Sequence, residues 1–179
     1  MEEKIQLLLK KKDCHKEAFT LIVKGYSERL YWHIRHMVHI HADADDVLQN
    51  TFIKVWQNLD SYRGDSKLYT WLYRIATNEA LTHIRKQKRM HVVDSGDERN
   101  DNVASASGDV FFDETAAEAK LHEAIQSLPE KQRAVFNLKY FEEMKYEEMS
   151  EVMDTSVGAL KASYHHAVQK IKKHLANKL

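Results

Sequence analysis

Apolar residues in the first half of the chain repeat at the spacing of α-helices. From Phe19 to Val38 they recur every three or four residues, which predicts one long amphipathic helix. A second helix is predicted to begin near Asp43, the candidate N-cap, because acidic residues in a first turn complement the helix dipole. A third is predicted from about Thr70 to Gln87. The sequence shows no strand-like alternation of any length, so every element is expected to be a helix.

The second predicted helix carries an apolar residue on its polar side. Its buried stripe is expected to consist of Leu48, Phe52, Val55, Trp56 and Leu59. The opposite side is expected to show Asp46, Gln49, Asn50, Ile53 and Gln57. Ile53 is either a singly exposed apolar residue, which is common in proteins, or part of a docking surface. Periodicity alone leaves both interpretations open.

The third predicted helix combines an aromatic ring, an amide and cations on one side. Its inner face is expected to consist of Leu68, Leu72, Ile75 and Ala76. Another side groups Trp71, Arg74, Asn78, Leu81 and Arg85. Cations bind phosphates and planar rings stack on unpaired bases, so this side is a candidate nucleic-acid surface. The alternative is that Trp71 belongs to the core and the rest is a solvated charged face.

The last fifty residues have the pattern of a helix-turn-helix. Pro129 begins a helix over Glu130–Tyr140, and a short helix is predicted over Tyr146–Met153. Asp154 turns the chain, and Ser156 is the candidate N-cap of the last helix. That helix is expected to bury Val157, Leu160, Tyr164, Ala167, Ile171 and Leu175. Its outer face is expected to show Lys161, Ala162, His165, His166, Gln169 and Lys173. In a helix-turn-helix the second helix enters the major groove, so this face is a candidate duplex reader.

Composition extends this pattern to the whole chain. Five Gly and one Pro in 179 residues are typical of a mostly helical protein, so the predicted fold class is all-α. Residues 91–118 are acidic, rich in Ser, Asp, Asn and Gly, and lack helical periodicity, which predicts a flexible acidic linker. The chain is therefore expected to form two small helical domains, residues 1–90 and 119–179, with the helix-turn-helix in the second.

The charges are balanced overall but unevenly distributed. Basic and acidic residues number 27 each, giving no net charge. Residues 1–90 carry 16 basic and 11 acidic residues, residues 91–128 carry 2 and 9, and residues 129–179 carry 9 and 7. The neutral total thus hides two basic blocks that are separated by an acidic connector.

Neither catalysis nor a metal site is predicted. The chain lacks a P-loop, a G-x-S-x-G elbow and an H-E-x-x-H motif, so we expect no enzyme and no cofactor. His33, His36 and His39 share a helical spacing, but no Cys or carboxylate completes a ligand set. Cys14 is the single cysteine and excludes an intramolecular disulfide. The first residues do not resemble a signal peptide, and no apolar run reaches the roughly 20 residues of a membrane span, so a cytoplasmic protein is expected.

Three ordered stretches of the sequence resemble bacterial sigma factors: Asp43–Trp56, Tyr62–Arg89 and Leu128–Leu175. The closest group is the extracytoplasmic-function (ECF) class, sigma-70 relatives that keep only regions 2 and 4. The resemblance covers nearly the whole chain. It implies a factor that binds core RNA polymerase and directs promoter-specific initiation, with region 2 at residues 1–90 and region 4 at 119–179.

The resemblance also implies roles for individual residues. The second predicted helix would dock on the clamp coiled coil of the largest polymerase subunit through Asp46, Gln49, Asn50, Ile53 and Gln57. A loop and the third helix would hold a flipped base and the melted strand of the −10 element through Tyr62, Arg63, Gly64, Asp65, Ser66, Lys67, Trp71, Arg74, Asn78 and Arg85. The last helix would read the −35 duplex through Ser156, Lys161, Ala162, His165, His166 and Gln169. The RGDS stretch at residues 63–66 would then be a base pocket and not a cell-adhesion loop.

Other partners and other functions follow from the same sequence. Members of the ECF class are commonly held inactive by an anti-sigma factor, often membrane-attached, so such a partner is expected besides polymerase and promoter DNA. No small-molecule substrate is expected. The residues alone leave two further classes open: a helix-turn-helix regulator that binds duplex DNA as a dimer, and an RNA-binding or structural helical adaptor.

Overall fold

A computed structural model describes residues 1–94 and 116–177, with side chains described for 1–91 and 116–177. Within these ranges the secondary structure is helical throughout, with no strand, which confirms the all-α prediction. The α-helices are α1 Glu2–Leu9, α2 His15–Met37, α3 His41–Asn58, α4 Leu68–Asp94, α5 Ala116–Gln126, α6 Glu130–Tyr140, α7 Tyr146–Met153 and α8 Val157–Ala176. Short 3-10 turns at Lys12–Cys14 and Leu59–Ser61 connect some of them.

The predicted helices are present, with differences at their ends. The bounds predicted for α6 and α7 are confirmed, and α2 is the predicted long helix. The prediction was incomplete elsewhere, because it included no helix at α1 or α5 and made α4 shorter than it is. Residues 91–94 continue α4 and residues 116–118 begin α5, so helix occupies both ends of the predicted linker. The remainder of that linker lies outside the described residues.

Helix α3 begins and packs differently from its prediction. Its N-cap is Ile40 and not Asp43, which lies in the first turn instead. The Asp43 carboxylate accepts a hydrogen bond from Gln87 Nε2 of α4 at 2.8 Å, so its role is to tie two helices together. The buried residues of α3 are Ala44, Val47, Thr51 and Val55. Trp56, predicted to be buried, is 48 % exposed, because the small residues let α3 approach α2 and α4 along a different face.

Helices α1 to α4 form a bundle around fully buried apolar side chains. Ile22, Leu30 and Leu72 are among its fully buried residues. His33 is also fully buried, and its Nε2 lies 2.9 Å from Thr77 Oγ1. Burial, with a smaller contribution from His36, lowers the pKa of His33 to about 3, so this imidazole is neutral and joins α2 to α4.

The second half of the chain packs against the first instead of standing apart. Helices α5, α6 and α8 share a small core of their own, made of Ala124, Ile125, Leu128, Phe136, Ala167 and Ile171. Leu138, Met149 and Leu160, however, belong to the same apolar cluster as the α1–α4 bundle. The two predicted domains thus share a continuous core.

Two further properties concern the described residues. None of their helices is both long enough and apolar enough to cross a membrane. They also contain no group of three or more His, Cys, Asp or Glu side chains placed to hold a metal ion.

Candidate nucleic-acid and polymerase interfaces

The loop between α3 and α4 is closed by its own side chains. Tyr62 Oη donates to the Ser66 carbonyl at 2.8 Å, which joins the two ends of the loop. Gly64 has φ +80, a left-handed conformation that favours glycine. Arg63 and Asp65 flank this glycine and are exposed. The loop therefore presents a guanidinium and a carboxylate around a tight bend, next to the first turn of α4.

Trp71 fits both interpretations raised by the sequence. Its indole is half-buried, and its ring centroid lies 5.0 Å from that of Tyr62 at the mouth of the loop. Arg74 and Asn78 follow on the next turns of α4 and are exposed. Trp71 packs against the apolar core and also contacts the ring of Tyr62. Fixed rings beside exposed cationic and amide groups form a surface on which unpaired bases can stack.

Leu81 was assigned to this exposed side, and that assignment is wrong. Its side chain is 6 % exposed. Leu81 belongs to the apolar cluster that both halves of the chain share. It also borders a cleft of about 290 Å³, which Met153 and Thr155 of the helix-turn-helix line as well. Asn78 and Arg85 line the same cleft. Part of the predicted strand-binding side therefore faces another part of the same chain.

Two of the predicted DNA-binding cations are paired with glutamates of the second half. Lys67 Nζ lies 2.9 Å from Glu148 Oε1, and Arg85 Nε lies 2.8 Å from Glu130 Oε1. Lys88, outside the predicted set, adds a contact to Glu130 Oε2 at 3.3 Å. Partial burial opposes ionisation of Glu130, but hydrogen bonds from Arg85 and Lys88 outweigh it and lower the pKa of this carboxyl below its usual value.

The polar side of α3 is an open surface with apolar side chains in it. The side chains predicted to dock on polymerase are all exposed: Asp46, Gln49, Asn50, Ile53 and Gln57. Ile53 is 51 % exposed, and Trp56, one turn further on, is 48 % exposed. A cleft of about 470 Å³ separates Asp46, Gln49 and Asn50 from the end of α4, where Met90 is exposed. The sequence analysis missed Trp56, although its spacing of three from Ile53 was a usable signal.

The helix-turn-helix has the local chemistry that its sequence predicts. Asp154 adopts the left-handed conformation, with φ 49 and ψ 49, and so ends α7. Ser156 caps α8, and its hydroxyl accepts a hydrogen bond from the Ala159 amide at 3.3 Å. Along α8 one face is exposed and carries Lys161, Ala162, His165, His166 and Gln169. This exposed face of α8 is therefore available to enter a major groove. Base contacts by these residues stay a prediction.

Arg133 joins the two halves and was not predicted to have any role. Its side chain is 7 % exposed and donates to the carbonyls of Met37, Gln126 and Leu128, at 2.7, 2.7 and 3.1 Å. Met37 is the last residue of α2, Gln126 is the last residue of α5, and Leu128 lies two residues beyond it. One guanidinium therefore satisfies carbonyls at helix ends in both halves. Burial lowers the pKa of Arg133 to about 10. Nothing in the sequence distinguishes Arg133 from a surface arginine.

Comparison with protein families gives two matches along the chain. Residues 22–90 match Sigma-70 region 2, and residues 118–171 match Sigma-70, region 4. The first of these ranges contains α3, the loop and most of α4, and the second contains most of α5, all of α6 and α7, and most of α8.

Individual relatives span nearly the whole chain. The RNA polymerase sigma-H factor of Pseudomonas aeruginosa is 35 % identical over 97 % of this chain and 94 % of the relative. The ECF RNA polymerase sigma factor SigW of Bacillus subtilis is 31 % identical over 89 % of each chain.

Solved structures share the fold. CnrH in complex with the cytosolic domain of CnrY matches with a TM-score of 0.67 at 21 % identity, covering 98 % of this chain and 96 % of that one. The sigma factor RpoE in complex with the anti-sigma factor NepR from Bartonella quintana matches with a TM-score of 0.70 at 23 % identity, covering 88 % of this chain and 96 % of that one.

Proposed function

Since this chain belongs to the sigma-70 family and, as an RNA polymerase sigma factor of the ECF group, directs promoter-specific initiation of transcription, we propose that its three exposed faces meet three different partners. The loop and α4 meet the melted −10 strand. The outer face of α8 meets the −35 duplex. The polar side of α3 meets core polymerase. The protein acts with polymerase on the chromosome in the cytoplasm and catalyses no reaction of its own.

The loop and α4 are suited to unpaired bases. Extruding a base costs a few kcal/mol of stacking and pairing energy, and a stacking surface returns roughly 1–3 kcal/mol per base. Tyr62 and Trp71 supply rings that the core holds in place, so little side-chain entropy is lost when a base stacks on them. We assign the pocket for a flipped base to residues 62–67 and the strand-holding face to Trp71, Arg74, Asn78 and Arg85.

The polar side of α3 is suited to a helical partner. Ile53 and Trp56 lie one turn apart and are about half exposed, which a partner's apolar side chains can cover. Asp46, Gln49, Asn50 and Gln57 surround them and can form a polar rim. This arrangement supports docking on the clamp coiled coil of the largest polymerase subunit.

The outer face of α8 is suited to a major groove. Ser156 fixes the start of the helix, and Lys161, Ala162, His165, His166 and Gln169 form one exposed face beyond it. Small and polar side chains here let the helix approach base edges, and Lys161 adds an attraction for phosphate.

An anti-sigma factor is a further partner of this chain. The two solved structures that share its fold were determined with CnrY and with the anti-sigma factor NepR, respectively. A protein that covers the apolar pair Ile53 and Trp56 would block polymerase and leave the factor inactive.

The observation that supports this proposal most is Trp71 held against Tyr62, with Arg74 and Asn78 exposed on the same side of α4. Transcription from linear promoter DNA with purified core polymerase tests it, with permanganate reactivity of thymines near the start site as the measure of opening. Trp71→Ala should keep polymerase binding and lose most of that reactivity, whereas Trp32→Ala, a control on α2, should keep both. Unchanged reactivity in Trp71→Ala would remove the single-strand role, and a protein that shifts a palindromic duplex without polymerase would be a conventional regulator.

A further inference from the structure

Five ring side chains form a continuous row on the outer side of α2. The ring centroid of Trp32 lies 5.5 Å from that of Tyr31 and 6.3 Å from that of His36. Tyr31 stacks on His41, the first residue of α3, with centroids 6.1 Å apart, and its hydroxyl is hydrogen-bonded to His41 Nδ1. At the other end of the row, His36 stacks on Phe141, which follows α6, at 3.9 Å. We call this row, from His41 to Phe141, the aromatic strip.

The aromatic strip is partly exposed and lies outside the surfaces assigned to DNA and polymerase. Trp32 is 36 % exposed and Phe141 is 37 % exposed. Ile40, which precedes the His41 end of the strip, is 38 % exposed. Exposed apolar side chains that are grouped on one surface mark a place where another segment or protein packs. The strip is therefore a candidate docking surface.

The chain itself contains a segment of matching chemistry. Residues 95–115, which lie outside the described residues, carry six acidic residues and one basic residue. Their two aromatic residues are adjacent, Phe111 and Phe112, and Val110 precedes them. Such a short apolar stretch cannot form a core by itself, because the rest of the segment is too polar. It can pack only on a surface that the folded part of the chain presents.

The position of α5 brings this phenylalanine pair within reach of the aromatic strip. The second phenylalanine is four residues from Ala116, the first residue of α5, so their Cα atoms can be at most about 14 Å apart. Six residues further along α5, about 9 Å, His122 contributes to the lowered pKa of His36. Gln126 Nε2, one turn beyond, donates to the His36 carbonyl at 3.1 Å. The pair is thus tethered near the His36 end of the strip.

The charges beside the strip suit an acidic segment at one end of its central ring. Arg35 lies one turn beyond that ring on α2 and donates one hydrogen bond, to the carbonyl that follows the helix. A guanidinium has five N–H donors, so Arg35 can also bind a carboxylate of residues 109–114. On the turn before the ring, Glu28 is exposed and Arg29 Nη2 lies 3.9 Å from Glu142 Oε2. Acids that flank the phenylalanines are therefore attracted to the Arg35 side.

We propose that Phe111 and Phe112 dock on the aromatic strip of their own chain at Trp32, with the flanking acids on the Arg35 side. Offset and edge-to-face ring pairs favour such docking beyond the burial of apolar area. The short tether to α5 keeps the pair at an effective concentration of the order of mM, so even a weak contact is populated. The connection from α4 to α5 is thereby routed past the end of α2. This docking is independent of the roles proposed for α3, α4 and α8.

Fluorine NMR of the full chain tests the docking without polymerase or DNA. Labelling with 5-fluorotryptophan gives one signal for each of Trp32, Trp56 and Trp71, and single Trp→Phe variants assign them. A nitroxide on Ser107→Cys, in a Cys14→Ser background, broadens the signals of nearby rings. Only four residues, at most about 14 Å, separate position 107 from the phenylalanine pair. The Trp32 signal should therefore be broadened far more than the other two.

Removal of the two rings supplies the second measurement. Phe111→Ala combined with Phe112→Ala should shift the Trp32 signal and abolish most of its extra broadening, because both ring contacts are lost. Val103→Ala is the control, since it removes an apolar side chain from the same segment and should leave the Trp32 signal as it is. The Trp56 and Trp71 signals should keep their positions in both variants, because the bundle is unchanged.

The remaining outcomes contradict the proposal. Equal broadening of the three tryptophan signals in the wild-type chain would overturn docking, and so would a Trp32 signal that is the same in the double variant and in Val103→Ala. Stronger broadening of Trp56 or Trp71 would place the pair on another surface. Broadening of Trp32 that persists when the nitroxide and the fluorine are on separate chains would make the contact one between two copies.

Discussion

Replacing Arg133 by Met should destabilise the second half of the chain and loosen it from the first. The guanidinium is buried, and its pKa of about 10 means that the folded state disfavours its charge by about 3 kcal/mol, a cost that methionine removes. Against this, three hydrogen bonds from a charged donor are lost, each contributing about 1.5–3 kcal/mol, and three carbonyls lose a partner. The net loss in the free energy of unfolding is about 2–5 kcal/mol.

The positions of the tryptophans make this loss measurable in each half separately. Trp32, Trp56 and Trp71 all lie in the first half of the chain, so their fluorescence follows the α1–α4 bundle. Circular dichroism follows helices from both halves. In urea, Arg133→Met should therefore show a transition by circular dichroism that begins well before the fluorescence transition, because α5–α8 lose their link to the bundle.

A second arginine supplies the control for this experiment. Arg35 donates one hydrogen bond, from Nη1 to the Val38 carbonyl at 3.1 Å, and this bond stays within the end of α2. Arg35→Met should cost no more than about 1 kcal/mol. If Arg133→Met unfolds at the same urea concentration as Arg35→Met, with both probes coincident, Arg133 does not hold the two halves together.

Two more predictions follow from the bundle and from the exposed side of α3. Burial lowers the pKa of His33 to about 3. Burial, with smaller contributions from His122 and Arg35, lowers the pKa of His36 to about 4. Both imidazoles therefore stay neutral in the folded chain, whereas in the unfolded chain they bind protons below the usual histidine pKa of 6.5. The free energy of unfolding, measured by urea titration, should accordingly fall by up to about 2.7 kcal/mol for each unit that the pH is lowered from roughly 6 to 4. His36→Gln should halve that slope, and a free energy of unfolding that does not change with pH contradicts the prediction. Ile53→Glu should weaken binding to core polymerase about tenfold or more, measured by fluorescence anisotropy, because a carboxylate is desolvated at a packed interface. Asn58→Glu, at the end of the same helix, is the control, and equal affinities of the two variants would place the docking surface elsewhere.

Local signals made the second half of the chain predictable. Pro129 precedes the first residue of α6, Asp154 adopts the left-handed conformation that ends α7, and Ser156 caps α8. Each of these signals acts through backbone geometry within a few residues. The face of α3 was less predictable because Ala44 and Thr51, which are small, are buried while Trp56 is half exposed. A larger apolar residue is the better guess for a core when the neighbouring helices are unknown.

The contacts between the two halves could not be predicted from the sequence. The local sequence does not distinguish the three acids of the second half from ordinary surface acids: Glu130, Glu142 and Glu148. Whether such a carboxylate meets water or a cation depends on tertiary packing between segments more than forty residues apart, as with Arg85 and Glu130. The sequence therefore indicated two basic domains but not that acids of one would neutralise cations of the other.

The glutamate partners of Lys67, Arg85 and Lys88 also affect how DNA binding responds to ionic strength. A cation that is already paired with a carboxylate is less available to neutralise a phosphate and release its counterions. Each such cation therefore contributes less than the usual share, about 0.7 per contact on single strands, to the salt slope of the binding constant. Added salt weakens the internal pairs and the contacts with nucleic acid together. A chain in which these three pairs are formed should thus bind a single strand with a salt dependence that is shallower, by about two units in log–log slope, than that of a chain whose cations are unpaired.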